Sequence, residues 1–543
     1  MQNISQTIIG LIITASAIIL HRFLRRTNIF HGLRELPGPP ASSWLVGHIP
    51  QLIRLGQIGD ADFAWTKKFG TAIRIKGIFG RDILFLSDPK AIQHILNLPY
   101  NYPKSPELQT FAIMVTGRGI FTADGERHAL HRKVLDPAFS QTSLRSFVPA
   151  FREHSRMAMG KWRDILLQND GVPVTIDIRS WLARLTLDSI GAAFDYDFEA
   201  LSSDNENELT NVYRAVYVDT SFKPSDAVLV MQELVVHVPE FWIPALLRLP
   251  GKIMKTLKHH ETAVDNVARQ LITRQMQSIA GGKEGGKDIM SILVDENNAL
   301  DPATQLSPYE LISQMRSIVL AGHETTGATM SWLLYELALH PQIQTELRKE
   351  IVAIRRQRAP KELTLTDLES LTLLQAVIKE TLRYHPTLAL ISRVARCDDV
   401  LALSFPPSAL DNGKPIREIP ISKGQRIFIS VAAYNRLPSV WGEDAQEWNP
   451  YRFLQSKALR ETTGIGVLSN LLTFSSGGRN CIGWRFAILE MQVMLCEIIE
   501  HFQFAPPPSN LKIKRVSANV MIPMVEEGDK EWSGLPLIVS ALT

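Results

Sequence analysis

The sequence predicts a mainly α-helical protein with a minor β portion, in one large domain behind an N-terminal membrane anchor. Three observations lead there. An apolar run opens the chain; helical apolar periodicity dominates the body; β-like segments are confined to its early part and its last third. The 543 residues are 45% hydrophobic and 21% charged, an ordinary globular balance, and are enough to enclose a ligand cavity. A formal net charge of +3 is small for this length and gives no support to nucleic-acid binding, which needs basic residues concentrated on one face. The three cysteines, Cys397, Cys481 and Cys496, exclude a disulfide framework and any multi-cysteine zinc or iron–sulfur site built from this chain alone. Sparse, odd thiols fit a reducing compartment.

The elements follow in order. Ile8, Ile9, Leu11, Ile12, Ile13, Ile18, Ile19 and Leu20 form the opening run, and Arg22, Arg25 and Arg26 follow it. A stretch of about 17 apolar residues is within reach of a tilted span. Residues 1–24 therefore read as a transmembrane signal-anchor with its basic side in the cytosol. Ala15-Ser16-Ala17 also resembles a signal-peptidase site, although no basic residue precedes the run. Residues 25–40 form a basic, proline-rich hinge in which Leu36-Pro37-Gly38-Pro39-Pro40 stops any helix; residues 41–543 are the body. Residues 72–78 and 83–87 read as a hairpin around Gly77 and Gly80. Long helices are expected over 311–339, closed by Pro341, over 371–384, stopped by Pro386, and over 482–502. Strand signals return over 416–429 and near the C-terminus. Gly281 to Gly286 reads as an exposed loop. Residues 238–250, with Phe241 and Trp242 between prolines, are either ordinary core or a second surface at a membrane interface.

The most informative segment is Phe474-Ser475-Ser476-Gly477-Gly478-Arg479-Asn480-Cys481-Ile482-Gly483. Gly477 and Gly478 let the backbone turn sharply beside a flat group. The helix beginning at Gly483 places N–H groups and a positive dipole end near Cys481, favouring a thiolate. The bland alternative is an inert buried cysteine. The pattern Phe-x-x-Gly-x-Arg-x-Cys-x-Gly resembles the signature of the cytochrome P450 family, and the resemblance runs from about residue 36 to the end. It implies the P450 fold and haem b with Cys481 as axial iron ligand. It further implies Arg479 on a haem propionate, Phe474 against the proximal side of the ring, and Gly483 leaving room beyond the sulfur. Cys397 and Cys496 read as structural.

Three further constellations follow in the family's order. Ala321-Gly322-His323-Glu324-Thr325-Thr326 resembles the distal oxygen-activation motif. There Ala321 and Gly322 make room for dioxygen, Thr325 offers a hydroxyl, and Glu324 relays protons from solvent. His323 reads as a helix-face residue, not an iron ligand. Glu380 and Arg383, three apart on one helix face, resemble the Glu-x-x-Arg pair, and Arg452 stands where the family joins a second arginine to it. Arg393 and Arg132 match propionate contacts. In Arg132's motif the family's tryptophan is replaced by His128, which can still donate a hydrogen bond.

The resemblance implies a monooxygenase that inserts one oxygen atom from O2 into a lipophilic small molecule. Electrons come from NADPH through a separate flavoprotein, an NADPH–cytochrome P450 reductase with cytochrome b5 as an additional donor, because no FMN, FAD or NADPH domain follows the cysteine motif. The expected location is the endoplasmic reticulum membrane, single-pass, with the catalytic domain facing the cytosol. By analogy the pocket draws on residues 108–121, 317–321 and 388–391, which are mostly apolar. The resemblance is to eukaryotic microsomal members, fungal ones among them. A natural-product role, for instance on a terpenoid, stands beside fatty-acid or xenobiotic hydroxylation. A P450-fold isomerase or dehydratase is opposed by Glu324 and Thr325; a haem sensor without turnover is the reading from another class.

Overall fold

A computed structural model describes residues 31–202, 211–212, 215–216, 222–236, 238, 251–280, 286–410, 413–454 and 464–542. The expected anchor at 1–24, most of 238–250 with Phe241 and Trp242, and Gly281 to Gly285 lie outside the described residues. Among the described residues no helix is long and apolar enough to cross a membrane.

Helices make up most of the body. The first half holds α1 (Ile49–Ile53), α2 (Asp60–Phe69), α3 (Pro89–Asn97), α4 (Pro106–Thr116), α5 (Gly125–Leu135), α6 (Gln141–Leu167), α7 (Ile178–Ala192) and α8 (Asp226–Val235). The second half holds α9 (Lys252–Ala280), α10 (Ile289–Asn298), α11 (Pro308–Leu339), α12 (Pro341–Arg358), α13 (Leu365–Ser370), α14 (Thr372–Tyr384) and α15 (Trp484–His501). Among the described residues the strands form four small sheets. β1 (Ala72–Lys76), β2 (Asp82–Leu86), β7 (Arg426–Ser430) and β4 (Leu390–Val394) lie in the order β1-β2-β7-β4. β5 (Asp399–Ala402) pairs with β6 (Glu418–Ile421); β9 (Lys512–Ala518), β10 (Val520–Glu527) and β11 (Lys530–Ser533) form a meander. β12 (Pro536–Ala541) sits between β3 (Val174–Asp177) and β8 (Phe502–Ala505).

The hairpin read over 72–87 is β1 and β2, antiparallel with Arg74 facing Leu84. The strand signals over 416–429 resolve into two strands in different sheets. Gly424, at φ +89°, turns the chain between them, and β7 then pairs parallel to β2 with Ile427 beside Leu84. The proline run is no free spacer: the Pro37 carbonyl accepts the Arg74 N–H at 2.9 Å, and Leu33 and Leu36 are buried. The packed body thus begins before residue 41.

The centre is α11. It begins three residues earlier than its apolar run suggests, because Ser307 caps it and exchanges hydrogen bonds with Glu310 in a capping box, with Pro308 in the first turn. Most of its residues are buried, whichever way they face, as expected of a helix surrounded by others. Its closest partner is α7. A methyl added at Gly322 would sit 3.0 Å from the Ile190 side chain, and one at Gly327 3.1 Å from the Thr186 hydroxyl. Gly322 therefore has a packing reason to be small, on the side of α11 that faces α7.

Glu380, Arg383 and Arg452 do meet. Arg383 forks onto Glu380 at 2.7 and 2.8 Å and donates to the carbonyls of Asn435, Ala445 and Glu447. Arg452 reaches Glu380 at 3.2 Å and the Trp441 carbonyl and Asp444 carboxylate at 2.8 and 2.9 Å. All three are buried. The guanidinium bonds of Arg383 reach the carbonyls of Asn435, Ala445 and Glu447, and the Asn449 N–H donates to Glu380, so the loop from Asn435 to Asn449 is tied to α14. Arg383→Met should leave Glu380 buried with only Arg452 and the Asn449 N–H beside it, and should strip three loop carbonyls of their donor, at about 3–5 kcal/mol. The expected outcome is loss of cooperative thermal unfolding, whereas Arg383→Lys should lose less; equal melting curves for Met and wild type would contradict the network's role.

Candidate haem-binding site

The cysteine loop is shaped by two left-handed residues, Ser475 at φ +60° and Gly477 at φ +66°. They fold the chain back so that the Cys481 N–H donates to the Phe474 carbonyl at 2.9 Å and the Asn480 N–H to that of Gly477 at 3.2 Å. A side chain on Gly477 would strike the Leu96 carbonyl oxygen, 2.0 Å from an ideal Cβ, at the end of α3. Gly478 differs: its Cβ would meet Pro99 at an ordinary 3.5 Å. Gly483 caps α15, and a Cβ there would lie 3.7 Å from Phe139, so protein packing alone does not explain it. Phe474 is buried.

Cys481 is accessible to solvent, yet burial pushes its thiol up, against the Gly483 N–H and the charge of Arg132, which favour the thiolate. Both hold if the sulfur faces an internal cleft. The helix terminus expected to favour the thiolate is present but does not win against desolvation. A bound cation at the sulfur is what would reverse the balance.

A surplus of positive charge lies nearby. Arg132 of α5 donates to the Asn480 carbonyl at 3.2 Å and to its side-chain oxygen at 3.4 Å, so it clamps the residue before Cys481, and it pairs outward with Asp136 at 3.1 Å. Arg479 donates to the Ala123 carbonyl at 3.0 Å and to Asp124 at 2.6 Å; its Nε is buried with no partner among the described residues. Arg396 shares Asp124. Arg393 is buried, donates to the Ser392 carbonyl at 2.9 Å, and has no carboxylate partner among the described residues. Burial and Arg479 press it down to about 10. Burial, then Arg393 and Arg479, hold Lys104 well below its ordinary value. His128 is buried against the Tyr100 hydroxyl at 3.2 Å; burial, Arg479, Lys104 and Arg132 push it down to about 3. These depressions share one cause, cations crowded in low dielectric with few anions. A planar group carrying two carboxylates and a metal that takes a thiolate fits this donor set.

On α11, Ala321 is exposed and Thr325 half-buried in the middle of an otherwise buried helix, so that face borders interior space. The Thr325 hydroxyl donates to the Ala321 carbonyl at 2.7 Å, leaving its lone pairs free to accept. Glu324 is not at solvent. It is buried and ion-paired with Arg179 of α7, because a carboxylate inside a helix bundle needs a cation or must neutralise. His323 is buried with Nδ1 2.9 Å from its own helix's Val319 carbonyl, as expected of a helix-face residue. The cysteine helix reaches this region: burial pushes the carboxyl of Glu490 on α15 well up, beside the hydroxyls of Thr326 and Ser189.

The structure thus gathers Arg132, His128, Arg393 and Arg479 near the cysteine loop, and gathers Glu380, Arg383 and Arg452 into a separate network. Arg179, Asp124, Lys104 and Tyr100 were not foreseen. Arg179 and Tyr100 have no motif around them, whereas Asp124 opens the very segment that carries His128 and Arg132.

Comparison with known proteins agrees with the geometry. Residues 37–528 match the family model described as Cytochrome P450. The chain is 32% identical to cytochrome P450 monooxygenase 91 of Postia placenta, over 90% of this chain and 91% of that protein. It is 32% identical to a ganoderic acid synthetase of Ganoderma lucidum, over 90% of each. With cytochrome P450 monooxygenase claU of Ampulloclitocybe clavipes it is 30% identical over 99% of this chain and 97% of that one.

Gly477→Ala should lower stability by about 2 kcal/mol or more, from left-handed strain and the clash with Leu96. Gly478→Ala should stay within about 1 kcal/mol. Denaturant midpoints of the two variants check this, and equal losses would contradict the geometry.

Proposed function

Since the chain belongs to the cytochrome P450 family and is by that membership a haem-carrying, oxygen-incorporating oxidoreductase, we propose that it oxidises a lipophilic natural product, with electrons from NADPH delivered by a separate flavoprotein reductase. The observation that carries the site is Cys481, accessible yet enclosed, on a loop where the cations outnumber their carboxylates: Arg479 and Arg396 share Asp124, and Arg393 has no carboxylate partner among the described residues. Cys481 would bind the haem iron; Arg479, Arg393 and His128 would face the propionates; Arg132 would hold the cysteine loop from behind through Asn480. Haem, when bound, supplies the oxygen chemistry. The chain's residues supply position and protons. Thr325 offers a hydroxyl on the accessible face of α11, and Glu324 is the adjacent acid. Because Glu324 is clamped by Arg179, a proton passing through it must first loosen or bypass that pair. The names of the relatives support the substrate class, one being a ganoderic acid synthetase and hence a biosynthetic enzyme.

For location we propose the cytosolic face of the endoplasmic reticulum membrane, with residues 1–24 as the anchor. Exposed Trp44 and Leu45, which precede α1, Leu55 just after it, and Met231 and Leu234 on α8 support this. The Trp44 ring meets Phe79 at 6.0 Å, and Phe79 and Val230 of α8 pack against the cluster of Val46, Ile78 and Leu229, so these apolar side chains lie on neighbouring elements. Full-length protein should resist alkaline extraction from membranes, and deletion of residues 1–24 should release most of it. Retention of the deleted form at wild-type level would refute the anchor.

The central test is the difference spectrum of reduced, carbon-monoxide-bound protein. Wild type should show the red-shifted band of a thiolate-ligated haem, and Cys481→His should lose it while keeping haem. Thr325→Ala should retain the band but release more hydrogen peroxide per NADPH consumed. A wild-type protein with haem but no such band would overturn the assignment.

A further inference from the structure

Along one face of α11, Thr325, Thr329, Trp332 and Glu336 succeed one another at helical spacing. Beyond Thr325, each side chain is committed to the segment that follows α14 or to the hairpin between β9 and β10. The Thr329 and Thr387 hydroxyls are 2.9 Å apart. The Trp332 ring stacks on the imidazole of His385, with centroids 4.3 Å apart and planes 9° from parallel. Its Nε1–H donates to the Met521 carbonyl at 3.1 Å, and the Met521 N–H donates to the Thr387 carbonyl at 2.7 Å. Glu336 Oε1 lies 2.7 Å from His385 Nε2. All five side chains, Thr329, Trp332, Glu336, His385 and Thr387, are buried.

What these bonds hold is a wall. Thr387 to Leu390, Ser517 and Asn519 to Met521 line one cavity of about 90 Å³ with Leu52, Ile53, Ile58 and the buried Asp62, whose carboxyl is turned to the Ser430 hydroxyl. Trp332 packs in one cluster with Met521 and Ile58 of that lining. The cavity is mostly apolar, and its wall is keyed to α11 one turn beyond Thr325, whose carbonyl accepts the Thr329 hydroxyl at 2.9 Å. Burial raises Glu336 to about 8. Burial and the nearby Arg436, Arg515 and Arg383 hold His385 well below its ordinary value. Burial thus disfavours the charged form of both partners, which share one hydrogen bond. Such a joint is rigid without needing a counter-ion.

We propose that Trp332, Glu336 and His385 are positioning residues for substrate. They touch none of it, but fix the Thr387–Leu390 and Ser517–Met521 walls in register with Thr325, so that this cavity takes the far, lipophilic end of a molecule whose other end reaches the haem. The proposal rests on the monooxygenase reading above.

The test uses holoenzyme and two imidazoles titrated by difference spectroscopy, N-methylimidazole and N-dodecylimidazole. Both ligate haem iron, but only the second extends a chain away from it. His385→Phe keeps the stack on Trp332 and loses the bond to Glu336; Trp332→Phe keeps an aromatic ring and loses the donor to Met521. Each should weaken N-dodecylimidazole about tenfold while leaving N-methylimidazole within about twofold, as expected for removing one buried hydrogen bond from a wall. Glu336→Gln, still able to hydrogen-bond, should rescue most of the chain-length preference. Equal shifts for both ligands, no shift for the long one, or a wild type indifferent to chain length would overturn the proposal. Should His385→Phe fail to fold, Trp332→Phe decides by the same criteria. Absence of the thiolate band in wild type would instead overturn the underlying function, so the two failures are told apart.

Discussion

A guanidinium taken out of water must find an acceptor for each of its N–H groups, and Arg383 finds them on Glu380 and on three separate backbone carbonyls. That requirement organises more of the molecule than its own neighbourhood. It fixes Asn435, whose side chain in turn accepts the Leu472 N–H at 3.1 Å and donates to the Thr473 hydroxyl at 2.9 Å. Thr473 precedes Phe474, and Phe474 receives the Cys481 N–H. A continuous line of hydrogen bonds therefore runs from a buried ion pair on α14 to the sulfur-bearing loop. A buried pair of this kind adds little net stability compared with apolar packing; here it serves to specify one conformation of an irregular segment.

The same electrostatics, with the opposite balance, mark the binding region. Arg383 and Arg452 are matched by Glu380 and Asp444. Arg393, Arg479, Lys104 and His128 are not matched to that degree, and their depressed proton affinities record the shortfall. Evolution tolerates such a cluster where an anionic partner completes it. Glu324 shows the matched case again, held by Arg179 although it sits next to Thr325 on the accessible turn of α11.

Much of this was legible in the sequence because it is local. Turn glycines, the Glu-x-x-Arg spacing and the long apolar helix each express their physics within one or two turns. The hairpin at 72–87 was legible for the same reason. The split of residues 416–429 into two sheets was not, since β7 is chosen by β2, far away in the chain. Nor was the partner of Glu324, because Arg179 reaches it only once α7 lies against the glycines of α11. Apolar periodicity does not mark the start of α11, which Ser307-Pro308-Tyr309-Glu310 sets with a cap and a reciprocal acid. His385 belongs to the same lesson. It stands beside a helix-stopping proline and looks like punctuation, and only the packed structure shows a tryptophan lying flat against it.

The pairing of β12 with β3 has a consequence for how the protein is made. Asp177 accepts the Leu535 N–H at 2.7 Å, and the Leu535 carbonyl accepts that of Ile178 at 2.9 Å, at the first turn of α7. α7 is the helix against which α11 packs most closely. On the ribosome, then, the central layer of the molecule waits with one end unpaired until almost the whole chain has emerged. During that interval β3 offers an open strand edge, which among the described residues only β12 covers in the finished fold.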